Sequence, residues 1–121
     1  MDFVGAVQES KLRIVEENVP GKQITLAHVI ANPDELLYEI INFKGKNISA
    51  LGIVTVSPAE ATIIAADIAR KTSGVMLESV DRVSGTLLVS GTVSQVEEAL
   101  IALLSYAGGK LGFSVCEITK T

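Results

Sequence analysis

The stretch ALGIVTVSPAEATIIAADIARKTSGVMLESVDRVSGTLLVSGTVSQVEEALIALLSYAGGKLGFSVCEIT, residues 50–119, decides the fold. It reads strand, helix, strand, strand, helix, strand. Residues 50–56, ALGIVTV, are an unbroken apolar run short enough for a buried central strand. Ser57-Pro58-Ala59-Glu60 opens a helix as an S-x-x-E box, and Ser94-Gln95-Val96-Glu97 opens another in the same way. The first helix carries Ala61, Ile64, Ala65, Ile68 and Ala69 at the spacing of a buried stripe. The second carries Val96, Ala99, Leu100, Leu103, Leu104 and Ala107. Gly74 is the expected left-handed stop of the first helix, and Gly108-Gly109 ends the second. Between the helices, residues 75–81 and 86–93 are two strands around the turn Arg82-Val83-Ser84-Gly85. Residues 113–119 are expected as a last strand, with Phe113 and Val115 on one face and Cys116 and Ile118 on the other. This split βαβ order predicts an α+β domain of ferredoxin-like type, with the helices layered on one side of the sheet.

Residues 22–31, in front of that run, alternate. The period of two puts Ile24, Leu26, His28 and Ile30 on one face and Gln23, Thr25, Ala27 and Val29 on the other. Asn32-Pro33-Asp34-Glu35 predicts a helix start, with Asn32 as cap, Pro33 setting the first turn and Glu35 reaching back. Leu36, Leu37, Ile40 and Ile41 would be its buried stripe, and Lys44-Gly45-Lys46-Asn47 its end. Pro20-Gly21 is a turn signal that sets off residues 1–20 from a domain at 21–121. Within the first part, residues 12–19, LRIVEENV, suit a short extended arm, and residues 1–11 predict an irregular, partly disordered start.

At 121 residues, one domain is the natural count. Hydrophobic residues make up 48% and charged residues 20%, with a mean hydropathy of +0.43. No run of about 18 apolar residues is present, so no membrane-spanning helix is expected. The surplus of Ala, Val, Ile and Leu then calls for burial at contacts between subunits. The net charge of −4 comes with scattered Lys and Arg, without the basic stripe that nucleic acid requires. MDFVGAVQES begins acidic and has no long apolar segment, so no secretory leader is expected. One Cys cannot form an internal disulfide, which fits a reducing cytosol.

Chemistry is sparse. His28 is the single histidine, which argues against His-rich metal sites, and a hydrogen-bonded core or interface histidine is the plainer reading. Cys116 reads as a structural thiol among apolar neighbours. No Ser, His and acid set forms a triad motif. Gly109-Lys110 lacks the earlier glycine of a phosphate loop, since Leu104 stands there. No catalytic residue, metal or cofactor is expected. Asp67 and Lys71 form an i, i+4 pair worth about 0.3 kcal/mol on an exposed helix.

Residues 65–100, AADIARKTSGVMLESVDRVSGTLLVSGTVSQVEEAL, resemble the core of the bacterial microcompartment (BMC) shell domain. The likeness lies in A-A-D-x-x-x-K at Ala65, Ala66, Asp67 and Lys71. It continues in G-x-V-x-x-V-E-x-A at Gly91, Val93, Val96, Glu97 and Ala99. The front phrase VPGKQITLAHVIANP, residues 19–33, is similar to the circularly permuted, single-domain subclass of ethanolamine- and propanediol-utilisation shells. The resemblance covers about residues 12–121. It implies a homo-hexamer that tiles edge to edge, with other shell proteins, into a cytoplasmic microcompartment shell around encapsulated enzymes. It implies that Lys71 is a hexamer edge contact. It places Arg82, Val83, Ser84 and Gly85 in the turn that lines a central pore. It makes Leu12, Arg13, Ile14 and Val15 part of an arm that caps this pore. Common family members carry a glycine-rich turn preceded by Lys, whereas Asp81-Arg82-Val83-Ser84-Gly85 stands here, which implies a restricted opening. Asn18 stands where an aromatic residue is expected before V-P-G.

A structural shell protein is thus the first reading. The alternative from a different class is a ferredoxin-like regulatory module that binds a small metabolite between subunits, because fold alone does not set function. A small enzyme is a third class, and it lacks an activated nucleophile or base in this sequence.

Overall fold

The computed structural model describes residues 21–40 and 49–121. In chain order they form β1 (Gln23–Ala31), α1 (Glu35–Ile40), β2 (Ala50–Ser57), a 3-10 turn (Ala59–Ala61), α2 (Thr62–Thr72), β3 (Met76–Asp81), β4 (Thr86–Gly91), α3 (Val93–Gly109) and β5 (Thr119–Lys120). The strands make one sheet in the order β3-β4-β2-β1-β5. Three of its four pairings are antiparallel, and β1 with β5 is parallel. The helices α2 and α3 pack together on one side, which is the α+β arrangement expected.

The core lies between that helix pair and the sheet. Its fully buried members include Val29, Val54, Leu87, Val89, Val96, Leu100 and Leu103. Each such side chain contributes about 1.5–3 kcal/mol relative to exposure. On β2 the backbone of Gly52 runs directly under α3. A Cβ there would lie 2.8 Å from both Val89 Cγ2 and Val96 Cγ1, so the helix can approach this closely only over glycine.

β1 departs from simple alternation. Ile24, Ala27 and Val29 are buried in the core, while Leu26 is exposed and His28 and Ile30 are half-buried. The pairing with β2 shifts between Ile24 and Leu26, so Thr25 is an extra residue in the strand. A one-residue bulge exchanges the faces of everything beyond it. Ile24 therefore shares the core with Ala27 and Val29, the set that strict alternation placed opposite to it.

The last strand is much shorter than residues 113–119. Ser114 bridges Gln23, and only Thr119–Lys120 form a ladder, against His28 and Val29. The bulge of β1 lies between these two anchor points. Phe113, Cys116 and Ile118 all pack against the core, whereas Val115 is exposed, so the expected two-face division of this segment does not hold. In the plain split order the last strand would lie beside β2. Here β1 occupies that place, antiparallel to β2, and β5 lies outside it.

The helix starts also differ from expectation. Asp34, not Asn32, caps α1: its Oδ1 accepts from the Leu36 N–H at 2.9 Å, and Asn32 sits in the left-handed region with φ of 51°. Leu36, expected in the buried stripe, is 64% exposed. Ser57 is held in the ladder as the last residue of β2 and does not cap; a 3-10 turn leads into α2 instead. On α2 the buried face is Ala61, Thr62, Ala65, Ala66 and Ala69, while Ile63 and Ile64 point outward. α3 is capped by Thr92, whose side chain accepts from the Gln95 N–H while the Gln95 side chain accepts from the Thr92 N–H. The box at Ser94 and Glu97 is therefore not formed. The stripe from Val96 to Ala107 is buried as its spacing predicts. Gly74 is not left-handed; α2 ends in an extended Ser73 whose Oγ donates to the Gln95 carbonyl at 2.8 Å. Ile41 and the stretch Lys44 to Asn47 lie outside the described residues, as does the arm with Leu12, Arg13, Ile14 and Val15.

Candidate functional site

The turn Arg82–Gly85 joins β3 to β4 and is built around Asp81. The Asp81 carboxylate accepts from the Val83 N–H at 2.9 Å and the Ser84 N–H at 3.1 Å. The Gly85 N–H donates to the Asp81 carbonyl at 2.8 Å, which closes the loop. Those bonds favour the charged carboxylate, the Val83 N–H most of all, and hold Asp81 below the ordinary aspartate range. Gly85 has φ of +81°, and its carbonyl accepts from the Val56 N–H at 2.8 Å. A Cβ on Gly85 would fall 2.3 Å from the Val56 carbonyl oxygen. The turn is thus fixed to the end of β2 by backbone alone. Its side chains are left to solvent: Arg82 and Ser84 are exposed, and Val83 at the tip is 87% exposed.

Lys71 lies in the last turn of α2. Its Nζ is 2.9 Å from Asp67 Oδ2, the expected i, i+4 pair, and both side chains are mostly exposed. The hydrogen bond to Asp67, then the Asp67 charge, raises the Lys71 pKa above its usual value. β3 runs from just beyond Lys71 to Asp81, so the lysine and the turn sit at opposite ends of one strand. The structure does not bring these two candidate sites together. It makes one domain with a rigid turn at one end and an exposed lysine at the other.

His28 projects from β1 toward the C-terminal strand. Its two ring nitrogens meet the hydroxyls of Thr119 and Thr121, the latter at 3.0 Å. Both nitrogens have partners, which suits a histidine that fastens the end of the chain. No group of three His, Cys, Asp or Glu side chains able to hold a metal occurs among the described residues. No described helix is long and apolar enough to cross a membrane.

Sequence reasoning passed over several anchors. Asp81 stands four residues before a glycine, and that spacing is its signal in the sequence. The fully buried Ser90 donates to Glu78 Oε2 at 2.6 Å, and Glu78 is the extra residue of a second bulge, in β3. Lys120 meets Glu97 at 2.9 Å and ties β5 to α3. Neither of these pairs has a local signal, since the partners are 12 and 23 residues apart.

The described residues thus make two helices packed on one sheet, with a hairpin tip held by backbone bonds at one end and an exposed lysine at the other. The BMC domain family matches residues 50–119, which spans β2 to β5. The chain belongs to the BMC domain family. The bacterial microcompartment shell protein EutS of Salmonella typhimurium is 46% identical to it over 112 residues, or 93% of this chain and 99% of the relative. The bacterial microcompartment shell protein CutR of Streptococcus intermedius is 46% identical over 109 residues, 90% of this chain and 92% of the relative. The solved CutR flat hexamer superposes with a TM-score of 0.80 at 44% identity, covering 86% of this chain and 94% of that one. The function class of this BMC domain is accordingly that of a microcompartment shell protein, a structural role.

Proposed function

We propose that this chain is a structural shell subunit that closes into a cyclic hexamer, and that the hexamers tile into a microcompartment shell with other shell proteins around encapsulated enzymes. The observation that carries this reading is the match in fold and sequence, over most of both chains, to a protein solved as a flat hexamer. The surface agrees. Leu36, Ile63, Met76, Val83 and Ile101 are each more than half exposed in the single chain, an apolar load that subunit contacts would cover.

In this reading the Arg82–Gly85 turn lines the opening on the six-fold axis and Lys71 lies at the outer edge, where hexamers meet. Their separation by the length of β3 supports that assignment. The chain order is the permuted one, with β1 filling the place beside β2 that the last strand takes in the plain order. Residues 12–19, with Leu12, Arg13, Ile14 and Val15, form the arm over the opening. What supports this is where the domain begins: Gln23 pairs with Ser57, next to Val56, which bonds Gly85. The chain therefore enters the domain at the same end as the turn, and residues 1–20 form a unit apart from the domain at 21–121.

Light scattering behind size-exclusion chromatography tests the hexamer. A mass about six times the 12.7 kDa of one chain is expected. A monomer or dimer would overturn the shell reading. It would favour instead a metabolite-binding module, which a ligand-dependent rise in Tm would reveal.

A further inference from the structure

We draw no further inference here: the strongest candidate, the open groove of about 970 Å³ lined by Pro58, Ile64, Leu111 and Phe113 beside the start of α2 and the end of α3, is a partly apolar surface, and nothing in the structure shows what covers it.

Discussion

Gly85 shows how much one residue can fix. Its φ of +81° and the 2.3 Å approach of the Val56 carbonyl to a would-be Cβ leave no room for a side chain. Gly85→Ala is expected to destabilise the domain by about 1–3 kcal/mol in urea unfolding, and a variant as stable as the parent would show that the turn relaxes freely. Asp81 organises the same turn through its charge. A carboxylate whose folded pKa is depressed adds stability above its unfolded value, about 3.9 for aspartate, and that stability is lost as pH falls through the folded value. Tm should therefore drop in acid below about pH 4, and Asp81→Asn should flatten that limb while lowering Tm at neutral pH. An unchanged acid limb in a pH series of melts would assign the acid sensitivity to other carboxylates. Arg82–Gly85 was legible as a turn because its Ser-Gly pair falls between two strand-like runs, whereas the same pair at Ser90-Gly91 ends a strand. The role of Asp81 was not, because its partners are backbone N–H groups that only the folded loop aims at it.

Helix termini were the least legible elements. Ser57, Ser94 and Asn32 all have the chemistry of a cap, yet the caps found are Thr92 and Asp34, and α2 has no side-chain cap. The choice belongs to the strands: β2 retains Ser57 in its ladder, and β4 ends at Gly91, which leaves Thr92 as the extended residue before α3. Thr92→Ala should cost about 1 kcal/mol, while Ser94→Ala should be near neutral; equal losses measured by denaturant titration would contradict the observed box. The interior stripe of α3 was legible in full, because a period of 3.6 does not depend on where the helix starts. Leu100→Ala should accordingly lose about 2–5 kcal/mol, read from the same titrations. β1 is the converse case. Its alternation is visible in the residues, but the extra Thr25 exchanges the faces midway and brings Ile24 to the side of Ala27 and Val29.

At the scale of the whole molecule, the shell reading separates ring closure from tiling. Lys71 lies exposed at the end away from the turn, paired among the described residues with Asp67; in the proposed reading its stem would lie along a neighbouring edge while its ammonium meets carbonyl oxygens. Lys71→Ala should keep the six-fold mass and abolish extended sheets, as seen by electron microscopy; sheets of normal extent from the variant would refute the edge role. The sequence by itself determined the split βαβ order, the apolar surplus that points to assembly and the stripe of α3, because period and composition are properties of neighbours along the chain. Only the tertiary structure decided that β1 lies beside β2, that Thr119–Thr121 are fastened by His28 and Lys120, and that Ile63 and Ile64 face outward from α2 while Ile68 and the alanines pack on the core. Each of those depends on residues distant in sequence meeting across the sheet, where a single bulge or a shared ladder position outweighs local preference.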